Sequence, residues 1–193
     1  MSAREKIKID WDSYIKSANE KCSEIADLLI DNRKLLYVSQ KEGNLALENV
    51  SELISICNGD MDSKNVLWLN DKPQIIDLEC LSYGNPYMEL FQLALYWSGY
   101  EHCSINYELL IAFIKSYCQE YGELKIDWDI LYKSNLGRLE WLEYNVKRAL
   151  MIECENEEEK LLGIEQVKQT IKHIIYYDSI HDELLERLNK EFN

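Results

Sequence analysis

Three polar residues, Asp60, Asn65 and Asp77, have the types and the spacing of a phosphoryl-transfer centre. Asp60 and Asn65 fall in one expected loop, and Asp77 follows at the end of an expected strand. Phosphoryl transfer uses a carboxylate beside the acceptor hydroxyl and hard oxygen ligands for the magnesium ions on the nucleotide phosphates. Magnesium takes carboxylate and amide oxygens and keeps several waters, so two protein ligands can suffice. An Asp and an Asn at this spacing are by themselves usually only a polar loop, so the prediction depends on the joint pattern.

Short strands and a turn are expected to position these residues. The elements are a strand through Ile54 and Ile56, a strand over 66–69, a turn at 70–72 and a returning strand over 74–76. An antiparallel hairpin of this kind returns Asp77 to the neighbourhood of Asn65. Gly59 gives the backbone conformational freedom immediately before Asp60.

The same stretch carries a longer set of motifs, namely Asn58-Gly59-Asp60, Asn65, Ile76-Asp77-Leu78-Glu79 and Gly84-Asn85-Pro86. This block, roughly residues 53–100, resembles the catalytic region of aminoglycoside phosphotransferases and related choline-kinase-like enzymes. That family has a His-Gly-Asp-x-x-x-x-Asn loop, a hairpin, an Ile-Asp-x-Glu segment and a Gly-x-Pro. The family's His is Asn58 here, and this departure concerns the rigidity of the loop more than its chemistry.

The resemblance implies a role for each matching residue. Asp60 would be the catalytic base, and Asn65 and Asp77 would hold Mg²⁺. Asn58 and Glu79 would lie behind them, with Glu79 either orienting the site or pairing with a nearby cation. The implied donor is ATP or another nucleoside triphosphate, and the implied acceptor is a hydroxyl of a small molecule.

The implied fold is α+β and mainly helical: a protein-kinase-like C-terminal lobe, with a small catalytic β-hairpin packed among helices and residues 1–193 forming a single domain. The seven glycines include no Gly-x-Gly, and no Val-Ala-x-Lys strand is present. The apolar residues among the fifty that precede the motifs recur at helical spacing, which predicts helices there, the second of them near 32–48. The resemblance therefore implies a truncated form or fragment of low activity. A nucleotide-binding N-terminal lobe would be supplied in cis, or by a partner chain in trans.

Caps and apolar periodicity predict helices through the rest of the chain. Helices are expected to begin after Asn85, Asn106 and Asp127, to span about 137–154 and 161–175, and to begin again at 179 or 182. The helix over 137–154 carries a set of carboxylates and aromatics, which suit a cationic acceptor: Glu140, Trp141, Glu143 and Tyr144, followed by Glu153 and Glu155. The alternative is an ordinary exposed face on which Glu143 pairs with Lys147.

Composition limits the class of protein. The net charge of −14 argues against a nucleic-acid partner and suits a cationic substrate. No apolar run is long enough to span a membrane, and the charged N-terminus lacks a signal core, so a cytoplasmic protein is expected. None of the six cysteines forms a Cys-x-x-Cys, which argues against zinc. The alternative to an enzyme is a pseudoenzyme or helical interaction domain that retains the fold.

Overall fold

The computed structural model describes residues 6–21, 23–152, 154 and 156–192. The protein is α+β and mainly helical. Its helices are α1 (Trp11–Glu20), α2 (Ala26–Leu47), α3 (Pro86–Trp97), α4 (Tyr107–Tyr121), α5 (Trp128–Ser134), α6 (Gly137–Ala149), α7 (Glu157–Ser179) and α8 (His181–Phe192). Its strands are β1 (Ser55–Cys57), β2 (Val66–Leu69), β3 (Lys72–Ile75) and β4 (Ser82–Gly84), with 3₁₀ turns at Ser63–Asn65 and Tyr100–His102.

The chain divides into two compact units, which we call the helical unit and the mixed unit. The helical unit comprises Met1–Val50, Glu101–Cys103 and Asp127–Asn193, and the mixed unit comprises Ser51–Tyr100 and Ser104–Ile126. The helical unit thus contains α1, α2 and α5 to α8, whereas the mixed unit contains all four strands with α3 and α4. Among the described residues, no helix is both long enough and apolar enough to cross a membrane.

The helical unit is organised around one apolar core. Its fully buried members include Trp11, Leu29, Leu36, Leu139, Leu142, Val146 and Val167. Helices α6 and α7 pack closely because Gly163 has no side chain. A Cβ at Gly163 would lie only 2.7 Å from the backbone nitrogen of Ala149. At the start of α7 the side chain of Asn156 accepts a hydrogen bond from the Glu159 nitrogen at 2.8 Å, as a helix cap does.

Two helix boundaries differ from the sequence expectation. Helix α2 begins at Ala26 instead of near residue 32. Asn32 does not cap a helix there; its side-chain nitrogen donates to the carbonyl of Leu28 inside α2, at 2.8 Å. Helix α6 ends at Ala149 instead of residue 154, and Met151 beyond it has the left-handed φ of 51° that a helix cannot continue through.

The mixed unit contains two antiparallel strand pairs. The expected hairpin forms between β2 and β3, with Val66 opposite Ile75 and Leu69 opposite Lys72. A second pair joins β1 to β4. Of these two strands, β4 was not expected from the sequence. In the turn of the hairpin, Asn70 and Asp71 have φ of 50° and 59°, as a two-residue type I′ turn requires.

The hairpin differs from the expectation in how it packs. It was expected to lie packed among helices, but Leu67, Trp68 and Leu69 are 53%, 66% and 65% exposed. The neighbouring helix α3 is built as predicted. Its cap Asn85 accepts hydrogen bonds from the backbone nitrogens of Tyr87 and Met88, at 2.9 and 3.2 Å.

Candidate active site

The loop between β1 and β2 carries the predicted base. Near its start the backbone takes a conformation that favours glycine. Gly59 has a φ of 79°, and a Cβ there would lie 2.9 Å from the carbonyl oxygen of Cys80. Only glycine fits both conditions without strain. The Gly59 nitrogen donates to Glu89 Oε1 at 2.8 Å. Because Glu89 lies in the first turn of α3, this bond ties the loop to that helix.

Asp60 and Asn65 are brought into direct contact, as the spacing predicts. The side-chain nitrogen of Asn65 donates to the backbone oxygen of Asp60 at 2.8 Å and to its carboxylate Oδ2 at 3.0 Å. Asn65 is only 4% exposed, whereas the Asp60 side chain is 39% exposed. The carboxylate of Asp60 is therefore accessible to solvent, and the buried amide of Asn65 fixes its position through a hydrogen bond.

Asn58 stands where the resembling family has His, and it also holds the loop. Its Oδ1 accepts a hydrogen bond from the Asp60 nitrogen at 3.1 Å. A short amide side chain commonly accepts a hydrogen bond from the backbone nitrogen two residues further on, and this bond stabilises the turn. The backbone of Asp60 is thus held from both sides, by Asn58 at its nitrogen and by Asn65 at its oxygen.

Asp62 has a structural role that the sequence pattern did not reveal. Its Oδ1 accepts hydrogen bonds from the hydroxyl of Tyr96 at 2.7 Å and from the nitrogen of Lys64 at 3.2 Å. These bonds, that from Tyr96 first, lower the pKa of Asp62 below its ordinary value. The Nζ of Lys64 lies 3.8 Å from carboxylate oxygens of both Asp60 and Asp62. A lysine is therefore placed directly beside the proposed base.

Trp97 holds the same loop from α3. Its indole nitrogen donates to the carbonyl oxygen of Met61 at 3.3 Å. With Tyr96, it makes the end of α3 a support for residues 61–62. A turn-forming side chain at position 62 could be anticipated from its neighbours in sequence. The partners on α3 could not, because they lie 34 and 36 residues away along the chain.

Asp77 follows the returning strand, at the same end of the hairpin as Asn65. The Ile76 nitrogen donates to the Asn65 backbone oxygen at 2.9 Å, which extends the β2–β3 pairing by one step. Asp77 then adopts a φ of 57°, so the strand ends there. Asp77 is exposed. Glu79 is exposed too, and its side chain forms no hydrogen bond or ion pair with any other part of the chain that the structure describes.

Asn65 and Asp77 carry oxygen atoms of the kind that magnesium takes. Asn65 uses its side-chain nitrogen for Asp60, which leaves its Oδ1 oxygen available to a cation. Asp77 adds a carboxylate at the same end of the hairpin. Within the described ranges, no group of three or more His, Cys, Asp or Glu side chains forms a metal cluster. An amide oxygen with a carboxylate is a donor set that suits a hard cation retaining most of its waters.

Comparison with known proteins adds no assignment. No family model, curated protein or solved structure matches the chain.

The predicted acceptor residues lie on α6, in the helical unit. Glu143 accepts a hydrogen bond from the hydroxyl of Tyr14 at 2.7 Å and lies 4.0 Å from the Nζ of Lys147. Trp141 and Tyr144 are both about half exposed and stack with ring centroids 5.4 Å apart.

The remaining carboxylates of this set are Glu140, Glu153 and Glu155. Glu140 is exposed. Glu153 and Glu155 lie outside the described residues. Glu143 therefore has partners within the protein, whereas the stacked aromatic pair and Glu140 face solvent.

Proposed function

We propose that the chain is the catalytic lobe of an ATP-dependent phosphotransferase of the aminoglycoside phosphotransferase type. It would transfer the γ-phosphate to a hydroxyl of a small, cationic acceptor. One observation carries the proposal: the amide of Asn65 donates to both the backbone and the carboxylate of Asp60. This bond joins the proposed base to the proposed metal ligand in one rigid unit.

In this proposal Asp60 accepts the proton of the acceptor hydroxyl. Its Oδ2 is held by Asn65, which leaves Oδ1 to face the substrate. A base held in this way keeps its orientation between turnovers, and orientation supplies much of the rate in phosphoryl transfer. Bound Mg²⁺ would neutralise charge on the nucleotide phosphates. Asn65 through Oδ1 and Asp77 through its carboxylate would hold it.

Charge supports a cationic acceptor. The chain has a net charge of −14, and a field of one sign raises the local concentration of oppositely charged substrates. Within the helical unit taken by itself, the Trp141 and Tyr144 pair has rings of the kind that bind cations, and the guanidinium carbon of Arg148 already lies 5.4 Å from the centre of the Tyr144 ring. The groups that cover the nucleotide phosphates would come from a second lobe, in cis or in trans.

A metal-binding experiment tests the site without requiring that second lobe. Mn²⁺ replaces Mg²⁺ and broadens the NMR signals of nearby amides. We expect broadening at residues 60–66 and 76–78 in the wild-type chain. Asp77→Asn should reduce it strongly, and Asp71→Asn should not. Asp71 is a matched control because it lies in the turn at the other end of the same hairpin. Equal broadening in both variants would remove the metal assignment.

Turnover tests the base. With a nucleotide-binding lobe supplied in cis or in trans, and with Mg-ATP and a panel of aminoglycosides and choline, ADP release should depend on the acceptor. Asp60→Asn should lower the rate by about 10²- to 10⁴-fold, whereas Asp71→Asn should leave it unchanged. Phosphorus NMR of the product identifies the phosphorylated hydroxyl. A rate that Asp60→Asn leaves intact would show that Asp60 is not the base.

The exposed hairpin favours a second candidate, a non-catalytic interaction domain. Apolar side chains as exposed as Trp68 and Leu69 are typical of surfaces that bind another protein. The two candidates differ in their response to substitution. An interaction domain would lose its partner on Trp68→Ser and would be indifferent to Asp60→Asn. The phosphotransferase would show the strong effect at Asp60.

A further inference from the structure

The helical unit contains a cavity of about 310 Å³ that the proposed phosphotransferase chemistry does not use. Its lining comes from α2, α5, α6, α7 and α8, and includes Glu42, Tyr132, Lys133, Arg138, Tyr177 and His181. A volume of this size is at the lower end of the range found for small-molecule sites. The lining combines aromatic rings with charged groups of both signs, so the arrangement of the charges decides what fits.

Arg138 is the unusual member of this lining. Its guanidinium carbon lies 3.6 Å from the centre of the Tyr177 ring, and its Nη1 donates to the carbonyl oxygen of Asn135. Its Nε is buried without a hydrogen-bond acceptor, and no carboxylate of the described chain lies within ion-pair distance of it. A buried donor on a permanent cation is costly to leave unsatisfied. An oxyanion in the cavity would supply the counter-charge that this guanidinium lacks within the described chain.

The other cations of the cavity already have counter-ions. The Nζ of Lys133 lies 2.7 Å from one carboxylate oxygen of Asp129, and the Nε2 of His181 lies 2.9 Å from the other. The Nδ1 of His181 lies 2.7 Å from a carboxylate oxygen of Asp182. Within the part of the chain that the structure describes, Arg138 is thus the one lining cation with no carboxylate partner.

The wall beneath Arg138 is rigid. The hydroxyl of Tyr177 donates to the backbone oxygen of Tyr132 at 2.8 Å, and the hydroxyl of Tyr132 donates to the backbone oxygen of Tyr177. The two rings stack with centroids 3.9 Å apart. Burial raises the pKa of Tyr177 to about 12, so the phenol stays neutral. Arg138 therefore rests on a fixed aromatic platform, which reduces the entropy lost when a ligand binds.

We propose that this cavity binds a small organic molecule through one oxyanionic group, either a carboxylate or a phosphate. The guanidinium fork of Arg138 would hold two of its oxygens, since this planar group matches both anions. The body of the ligand would occupy the rest of the cavity, beside the guanidinium. This site lies wholly within the helical unit and is independent of the proposed transfer chemistry.

Titration calorimetry on the full chain tests the proposal, with inorganic phosphate, succinate and the uncharged succinamide as probes at constant ionic strength. We expect saturable binding of phosphate or succinate and none of succinamide. Arg138→Gln should weaken that binding at least 10-fold. Arg148→Gln is the matched control, because Arg148 also lies on α6 over a tyrosine ring, that of Tyr144, but outside the cavity lining. It should change the affinity less than twofold.

A second variant keeps the test valid if Arg138→Gln disturbs folding. Glu42 is exposed and its carboxylate lines the cavity, so Glu42→Gln removes a negative charge without touching the core. It should tighten anion binding about twofold or more. Binding of phosphate alone or of succinate alone would each support the proposal and identify the anion class. Three results would each overturn it: no saturable binding of either anion, equal affinity in folded Arg138→Gln, or weaker binding in Glu42→Gln.

Discussion

The helical unit and the β2–β3 hairpin of the mixed unit place their apolar side chains in opposite ways. In the helical unit Leu139, Leu142 and Val146 are fully buried on one face of α6. In the hairpin, Leu67 and Trp68 point to opposite faces of the ladder, and both are more than half exposed. A two-stranded hairpin is marginally stable in water unless something covers it. The comparison indicates that the helical unit contains its own core, whereas the apolar side chains of the hairpin lie open to solvent.

The largest predicted effect follows directly from this contrast. Leu142→Ala should lower the free energy of unfolding by about 2–5 kcal/mol, because it leaves a cavity in a closed core. Leu67→Ala removes the same atoms from an exposed strand and should cost less than about 0.5 kcal/mol. Urea unfolding followed by circular dichroism measures both. Equal losses would mean that Leu67 is as buried in solution as Leu142, and the contrast between the two regions would fail.

Asn65 is the exception within the exposed region, since it is buried and bonded to Asp60. Asn65→Ala should destabilise the loop by about 1–3 kcal/mol, because it removes two hydrogen bonds made by one buried amide. Amide hydrogen exchange should therefore quicken at residues 58–66. The amides of α6 should keep their protection. Gln74→Ala, at an exposed position on the same hairpin, serves as the control and should change neither region. Unaltered exchange in Asn65→Ala would show that the loop is held by other contacts.

The features that sequence reasoning anticipated are local ones. Asn85 and Asn106 each cap a helix through nitrogens two and three residues away, so their neighbours in sequence suffice to predict them. The contact of Asp60 with Asn65 spans one loop and follows from its spacing. These features need no knowledge of which helix packs against which.

The features that sequence reasoning missed depend on tertiary packing. The bond of Tyr96 to Asp62 joins residues 34 positions apart, and the reciprocal bonds of Tyr132 and Tyr177 join residues 45 apart. No periodicity in the sequence marks such partners. The exposure of the hairpin was missed for a related reason. An alternation of apolar residues indicates a strand, but it does not reveal whether a covering element is present.

A smaller effect should follow from making the hairpin polar. Trp68→Ser removes an exposed indole, so the free energy of unfolding should change by no more than about 0.5 kcal/mol. Binding of the dye ANS, which reports exposed apolar surface, should fall, and any self-association seen by light scattering should decrease. Trp141→Ser removes an indole from the helical unit that is stacked on Tyr144. It should lower dye binding less. The reverse order would place the main apolar surface on α6.

The smallest effect concerns the ion pairs of His181, which join α8 to Asp129 on α5. Burial alone lowers the pKa of His181, but hydrogen bonds to Asp129 and Asp182 outweigh it, and the pKa is raised above its ordinary value. A group whose pKa is raised on folding stabilises the protein fully below its unfolded pKa of about 6.5. That stabilisation is lost as the pH rises through the folded pKa.

His181→Gln should therefore lower the Tm by about 1–3 °C at pH 5.5, and the difference should shrink towards pH 8.5. The effect is small because the Asp129 side chain is 42% exposed. Lys133 shares Asp129 with His181, and the Tyr132 ring lies 4.9 Å from the imidazole, while the two carboxylates supply the ion pairs that the trend reports. His102→Gln, at an exposed position, should show no such pH dependence. A His181→Gln deficit that grows with pH would mean that the neutral imidazole, not the cation, holds the two helices together.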